Sequence, residues 1–143
     1  MTATPQSLPD YQHYLDSFSI DSVITRLDDH QDGMLNAYEA CCGRHVRAGR
    51  GDVLALVQED TQGATHTLTY AELDEQSAKL AGWFQSQGLK QGDRIACMLP
   101  RSPQLLIAVL ASWRIGAVYQ PLFTAFGPDA VDYRLGRADT KLV

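Results

Sequence analysis

The stretch GDRIACMLPRSPQLLIAVLASWRIGAVYQPL, residues 92–122, predicts a strand, a helix and a second strand in direct succession. Its first part, Gly92 to Leu99, has a continuous apolar centre, which is typical of a strand covered on both faces. Pro103 stands in the first helical position, which proline favours, and Gly116 ends the helix. The second strand stops at Pro121. This order predicts two parallel strands joined by a crossover helix.

The residues before this stretch predict a helix and a hairpin. Thr69 and Glu72 have capping-box spacing, so a helix is expected from Tyr70 to Gly88. Its buried face should carry Tyr70, Leu73, Ser77, Leu80, Ala81 and Phe84. The segments 52–58 and 66–70 alternate like strands and flank a polar connector that contains glycine. They are expected to form a β-hairpin.

The residues after this stretch extend the alternation. A helix is expected from Pro128 to about Arg137, with Val131 and Leu135 buried, and the residues TKLV at 140–143 look like the start of a third strand. The predicted fold class is therefore α/β. It is a partial N-terminal subdomain with a parallel βαβαβ sheet and helices on its faces, preceded by a helix and a β-hairpin. An unfinished strand at 140–143 predicts that the chain is a fragment of a longer protein.

The N-terminal residues divide into an arm and two helices. Residues 1–19 are expected to form an extended arm pinned by Tyr11 and Tyr14, and residues 20–143 to form the truncated portion of a large domain. A short amphipathic helix should place Ile20, Val23, Ile24 and Leu27 on one face. A longer helix should follow, with a stripe made of Met34, Tyr38, Cys41, Cys42, His45 and Gly49.

Two cysteines and a histidine within that stripe raise the question of a metal site. Adjacent cysteines on a helix point about 100° apart, and no further ligand pair is nearby in the sequence. The favoured interpretation of Cys41, Cys42 and His45 is therefore buried core, and no metal site is predicted.

Composition excludes several classes of function. The 143 residues are 45% hydrophobic and 20% charged, with a net charge of -5, so no nucleic-acid partner is expected. The N-terminus lacks the basic and apolar regions of a signal peptide, and the longest apolar run is too short to span a bilayer. Three cysteines without paired spacing favour a reducing compartment. The expected location is cytoplasmic, with no membrane partner.

Three motifs in order carry a family resemblance: LTYAEL at 68–73, GDRIACMLPRSPQ at 92–104 and WRIGAVYQPL at 113–122. Together they resemble the opening motifs of the AMP-forming adenylate synthetases, which include acyl-CoA synthetases, luciferases and peptide-synthetase adenylation domains. The resemblance is best over residues 67–143 and weaker from Leu35. The continuation PLFTAFGPDAV is similar to the acetyl- and medium-chain acyl-CoA synthetase branch.

The resemblance implies a reaction and its substrates. A carboxylate and ATP, with Mg²⁺, would give an acyl adenylate and pyrophosphate, and coenzyme A would then displace AMP to form a thioester. The sequence contains no glycine-rich loop with a lysine to hold the ATP phosphates. No catalytic residue is therefore assigned, and the chain alone is expected to be inactive, with the rest of its own polypeptide as its partner. The alternative is a free-standing α/β binding module.

The same resemblance supplies the candidate binding residues. In acetyl-CoA-synthetase-like relatives the loop after the second strand lies against coenzyme A, and the matching positions are Phe123, Thr124 and Ala125. Phenylalanine can stack on an adenine, and small residues admit a close backbone approach. Relatives often carry glycines where this chain has Thr124 and Ala125. The alternative is that Phe123 and Phe126 pack against residues beyond the chain.

Basic residues receive surface assignments. Arg94 and Arg101 are expected to face solvent rather than a phosphate, and the cluster of Arg44, Arg47 and Arg50 is interpreted as a solvated helix face. No Gly-x-Ser-x-Gly elbow is present, so nucleophilic hydrolysis is not supported. A truncated sheet should expose apolar surface, which predicts self-association of the fragment.

Overall fold

A computed structural model of the chain describes residues 10–25 and 34–143. The helices of these ranges are α1 (Tyr11–Ser17), α2 (Ile20–Ile24), a π-helical segment (Glu39–Gly43), α3 (Arg44–Arg47), α4 (Tyr70–Ser86), α5 (Pro103–Arg114) and α6 (Pro128–Ala138). The strands are β1 (Leu54–Glu59), β2 (Thr65–Thr69), β3 (Arg94–Cys97) and β4 (Val118–Pro121). None of the helices described here has the length and apolar character needed to cross a membrane.

The N-terminal segment is partly helical. The prediction of an extended arm is wrong for α1, because the side chain of Asp10 caps it by accepting a hydrogen bond from the amide of Gln12 at 3.2 Å. Tyr11 and Tyr14 are both exposed and do not pin this segment. The short helix predicted from Ile20 is confirmed as α2. Residues 1–9 and Leu27, which belong to the same predictions, lie outside the described residues.

The predicted helix around Tyr38 is helical over residues 37–47, but its middle turn, Glu39–Gly43, is a π-helix that continues into α3. A π-helical turn makes i→i+5 hydrogen bonds and is wider than an α-helical turn, so the angle between successive side chains changes. Tyr38 and Cys42 are buried, whereas Cys41 and Met34 are exposed. The predicted stripe is therefore correct at Tyr38 and Cys42, only half-buried at His45, and wrong at the exposed positions Met34, Cys41 and Gly49.

The hairpin and the capping box are confirmed. Strands β1 and β2 pair antiparallel with a bulge between Leu54 and Leu56. The Thr69 hydroxyl accepts from the Glu72 amide at 3.2 Å, and the Glu72 carboxylate accepts from the Thr69 amide at 2.7 Å. Two donors that would otherwise be unsatisfied at the start of α4 are thereby paired.

Strands β3 and β4 are parallel, with Arg94 opposite Val118 and Cys97 opposite Pro121. The predicted strand–helix–strand unit is confirmed for β3, α5 and β4. The third strand is not formed: the C-terminal residues contribute one parallel bridge, Leu142 to Ile95, in which the Ala96 amide donates to the Leu142 carbonyl at 2.8 Å. A single bridge leaves the βαβαβ sheet incomplete.

Helices cover both faces of the β3–β4 pair. On one face Ile95 packs in a buried apolar cluster with Phe84 of α4 and Ala111 of α5. Side chains alternate along a strand, so Gln120 points to the opposite face, where its amide nitrogen donates to the Arg134 carbonyl of α6 at 3.1 Å. A second buried cluster contains Tyr38, Cys42, Leu73, Ile107 and Leu110, and apolar residues of the β1–β2 hairpin pack against it.

Helix α6 is less buried than the sequence suggests. Val131 and Leu135 were expected in the core and are only half-buried, and none of the residues of this helix is fully buried. Hydrogen bonds to β3 and β4 hold it in place, which matters for the loop that precedes it.

Candidate functional site

The carboxyl ends of β3 and β4 meet at one edge of the sheet. Cys97 and Pro121 are opposite each other in the parallel register, so residues 98–102 and 122–127 leave the sheet from the same edge. In open parallel sheets, ligands bind outside the carboxyl ends of the strands. We call this region the carboxyl edge.

The loop after β4 is anchored at its start and then turns outward. The Leu122 amide donates to the Cys97 carbonyl at 3.0 Å, and the Leu122 side chain is buried. Residues 123–126 then form a turn in which the Phe126 amide donates to the Phe123 carbonyl at 3.0 Å. The result is a short protruding turn on a fixed base.

The sequence-predicted contacts Phe123, Thr124 and Ala125 all lie on this turn and are all exposed. Neither Thr124 nor Ala125 has a positive φ, so this turn does not require glycine at either position. The Phe123 side chain is 64% exposed. The structure therefore brings the three residues together at the carboxyl edge, and their contact with coenzyme A stays a prediction.

Aromatic contacts fix the turn from below. The rings of Phe123 and Phe126 meet edge to face, with centroids 5.7 Å apart and an interplanar angle of 81°. The guanidinium carbon of Arg134 lies 4.0 Å from the centroid of the Phe126 ring. Both geometries are favourable, because a ring edge is positive, a ring face is negative and the guanidinium is a cation.

Arg94 has a structural role that neither sequence interpretation foresaw. Its guanidinium donates to the Ala138 carbonyl at 2.7 Å, and to the carbonyl and carboxylate of Asp139 at 2.7 and 2.6 Å. The expectation that it faces solvent is wrong, because it pairs with the carboxyl end of α6, where a cation is favourable. Arg101 is exposed, as expected.

Two side chains near the carboxyl edge were missed by the sequence analysis. Burial raises the pKa of the Cys97 thiol, while a hydrogen bond with Tyr119 opposes that shift. Burial, followed by the Cys97 charge, raises the pKa of Tyr119. The thiol is therefore protonated at neutral pH and is a poor nucleophile. Side chains alternate between the two faces along β3 and β4, which places Cys97 and Tyr119 on the same face. This alternation was the sequence signal that could have identified the pair.

The side chains of Cys41, Cys42 and His45 do not converge on a common point where a metal ion could bind. The Cys42 thiol donates to the Tyr70 carbonyl at 3.7 Å, and burial raises its pKa to about 11. Cys41 points to solvent, and the His45 ring lies 4.4 Å from the Tyr70 ring. Across residues 10–25 and 34–143, no three His, Cys, Asp or Glu side chains are grouped so that they could hold a metal ion.

A polar cluster joins the π-helix, α4 and α5. The Tyr38 hydroxyl donates to the Asp74 carboxylate, and Arg114 donates to the same oxygen at 2.9 Å and to the Ser77 hydroxyl at 3.2 Å. The Arg114 guanidinium also lies 4.0 Å from the centroid of the Tyr38 ring. Burial, and then the hydrogen bond to Asp74, raises the pKa of Tyr38. This cluster fixes the helices behind the sheet and does not reach the carboxyl edge.

The geometry defines an α/β domain with a crossover helix and an exposed aromatic turn at the carboxyl edge of its parallel strands. Residues 44–143 match the family model described as AMP-binding enzyme. The chain belongs to this family.

Within this family, the chain is similar in sequence to acetyl-coenzyme A synthetases. The chain is 42% identical over 113 residues to the acetyl-coenzyme A synthetase of Streptomyces avermitilis, covering 79% of this chain and 17% of that protein. It is 38% identical over 110 residues to the acetyl-coenzyme A synthetase of Caulobacter vibrioides, covering 77% of this chain and 17% of that protein. The chain thus spans about a sixth of the length of these relatives.

A solved structure agrees with the fold. The acyl-CoA synthetase of Brucella canis superposes with a TM-score of 0.87 at 36% sequence identity. The match covers 94% of this chain and 24% of that chain. The architecture described above is therefore that of part of an acyl-CoA synthetase, which confirms the family resemblance seen in the sequence.

Proposed function

We propose that this chain is the N-terminal part of an AMP-forming acid–thiol ligase that makes an acyl-CoA from a small carboxylic acid, ATP and coenzyme A. The proposal rests on membership of the AMP-binding family and on the position of the exposed turn. That turn protrudes at the edge of a parallel sheet where ligands bind in folds of this class. The exposure of Phe123 at this edge is the observation that carries the binding part of the proposal.

The reaction has two steps. In the first, a carboxylate oxygen attacks the α-phosphorus of ATP, the bond to pyrophosphate breaks, and an acyl adenylate forms. In the second, the thiolate sulfur of coenzyme A attacks the acyl carbon, and AMP leaves with the electron pair of the broken bond. The first step builds negative charge that positioned donors must stabilise. We assign those donors to residues outside this chain.

This chain supplies one wall of the cleft. Phe123 offers an exposed ring for the adenine of coenzyme A, and the turn residues Thr124 and Ala125 offer a close backbone approach. In the complete protein, residues 140–143 would begin the third parallel strand. Magnesium would accompany ATP, but the described residues contain no group suited to hold it, so no residue here is assigned to the metal.

Pyrophosphate exchange into ATP tests the activity. We expect no exchange by this chain alone with acetate, butyrate or longer acids, because loss of one transition-state donor typically costs about 10² to 10³ in rate and here the set is missing. We expect exchange by the product of the complete coding sequence. Exchange by the chain alone would overturn the assignment of the donors to later residues. If neither the chain nor the complete product catalyses exchange, the alternative of a binding module is favoured.

Association and location complete the proposal. Several large apolar side chains are exposed, including Trp83, Leu99 and Val143, and such surface favours self-association of the chain in isolation. Light scattering should therefore detect dimers or larger species, and a monomer at high concentration would contradict this. The described cysteines are all free thiols, which supports a reducing, cytoplasmic location.

A further inference from the structure

A row of contacts runs from β4 to the tip of the exposed turn. The Thr140 hydroxyl donates to the Gln120 side-chain oxygen at 2.6 Å, and the Gln120 side-chain nitrogen donates to the Arg134 carbonyl at 3.1 Å. The Arg134 guanidinium then covers the Phe126 ring, whose edge contact reaches Phe123. The exposed ring is therefore connected to the sheet by a continuous set of contacts that passes through the backbone and the side chain of Arg134.

Orientation of an exposed ring has a free-energy cost. A side chain that is free to rotate must be immobilised on binding, and the loss of its rotational freedom opposes binding. Phe123 is 64% exposed, so packing against the rest of the protein does little to restrict the rotation of its ring. The edge contact with Phe126, itself held by Arg134, restricts the Phe123 ring before any ligand arrives.

We infer that Arg134 is a positioning residue for the thioester-forming step: through Phe126 it orients the Phe123 ring that stacks on the adenine of coenzyme A. The inference rests on the proposed coenzyme contact of Phe123. It assigns Arg134 no contact with substrate. The guanidinium face lies on the Phe126 ring, and Nη1 donates to the Ala130 carbonyl at 2.9 Å, so the guanidinium is already engaged within the protein.

The test uses the product of the complete coding sequence and the variants Phe123→Ala, Arg134→Ala and Arg134→Lys. Arg134→Ala is expected to raise KM for coenzyme A about two- to five-fold, the size of one exposed cation–π contact. Pyrophosphate exchange, which needs no coenzyme A, should not change. Arg134→Lys should raise KM for coenzyme A less than Arg134→Ala does, since an ammonium also binds a ring face. Arg137→Ala, on an exposed position of the same helix, is the matched control and should behave as the parent.

A double variant separates positioning from direct contact. If Arg134 acts through Phe123, then Arg134→Ala should not raise KM for coenzyme A further when Phe123 is already alanine. A full additional effect in Phe123→Ala would overturn the inference in favour of direct contact. A fall in the rate of pyrophosphate exchange as large as the rise in KM for coenzyme A would also overturn the inference, because it would indicate general destabilisation of the protein. If Arg134→Ala does not fold, the comparison is made with Arg134→Gln, which removes the cation and keeps a long side chain; an unchanged KM in Arg134→Gln beside a raised KM in Phe126→Leu would overturn the inference.

Failure of the proposed function gives a different result. If Phe123→Ala leaves KM for coenzyme A unchanged, the coenzyme contact itself is wrong and the positioning role is lost with it. If Phe123→Ala raises that KM but Arg134→Ala does not, the contact stands and only the role of Arg134 is overturned.

Discussion

Two arginines of this chain make the same contact in different surroundings. The guanidinium carbon of Arg114 lies 4.0 Å from the centroid of the Tyr38 ring, and that of Arg134 lies 4.0 Å from the centroid of the Phe126 ring. Arg114 is about a quarter exposed and also pairs with the Asp74 carboxylate, whereas Arg134 is exposed and its guanidinium donates to the Ala130 carbonyl of its own helix.

The difference shows that the surroundings decide what a cation–ring contact does. Behind the sheet, Arg114 neutralises a half-buried carboxylate and joins elements distant in sequence, so its removal leaves the Asp74 carboxylate without its cation. At the carboxyl edge, Arg134 leaves no buried group unpaired when removed. We therefore expect the first arginine to govern stability and the second to govern the orientation of the exposed turn.

The largest effect is expected for Arg114→Ala. Loss of charge-assisted hydrogen bonds to the Asp74 carboxylate should lower the free energy of unfolding by about 2 to 3 kcal/mol. Urea denaturation of the chain measures this, with Arg101→Ala as an exposed control that should unfold like the parent. A loss of less than about 0.5 kcal/mol, the range of ordinary surface substitutions, would remove the contrast between the two arginines.

A second prediction concerns alkaline pH. Burial raises the pKa of Tyr38, and it raises the pKa of Cys42 from 9.0 to about 11. The folded state therefore holds these protons more tightly than the unfolded state. Their stabilising contribution is complete below pH 9 and is lost as the pH rises through the folded-state pKa values. Urea denaturation at a series of pH values should show stability falling above pH 9.

Substitutions in the polar cluster behind the sheet and at the carboxyl edge show how much each region contributes to the fall in stability at alkaline pH. The double variant Tyr38→Phe, Cys42→Ala should reduce the fall in stability, because the groups that release protons on unfolding are gone. Cys97→Ala, at the carboxyl edge, removes another thiol whose pKa burial raises. It is expected to reduce the fall less than the double variant does. An equal reduction from both would mean that the two regions do not differ in this respect.

The smallest effect is expected for the stability of Arg134→Ala. An exposed cation–π contact contributes about 0.5 to 1 kcal/mol, so the free energy of unfolding should fall by no more than that. Urea denaturation beside Arg137→Ala provides the comparison. A loss as large as that of Arg114→Ala would show that Arg134 holds the fold together, and the distinction between the two arginines would be wrong.

Local rules predicted the elements whose cause is local. The capping box of Thr69 and Glu72, the proline at position 103 and the apolar centre of β3 each lie within a few residues of the structure they specify. The parallel pairing of β3 and β4 followed from the alternation of elements. The exposed turn was identified through a family resemblance, and the contact of its residues with coenzyme A stays a prediction.

Contacts between distant residues were not predictable in this way. Tyr38 and Arg114 meet at Asp74 across separations of 36 and 40 residues, and no local spacing marks that meeting. The π-helical turn was missed because a 3.6-residue pattern assumes a uniform helix, which put Cys41 on the wrong side. The role of Arg94 depends on where α6 ends, and that is decided by the folded chain.

The clamp at the end of α6 has a mechanical consequence. Arg94 fixes the carboxyl end of the helix to β3, and the Gln120 side chain fixes its middle to β4. The amino end, at Gly127, has no side-chain cap. The side-chain hydrogen bonds between α6 and the sheet are therefore at its middle and its carboxyl end. We expect any displacement of the aromatic turn to be taken up at the amino end of α6, while the carboxyl end stays fixed to β3.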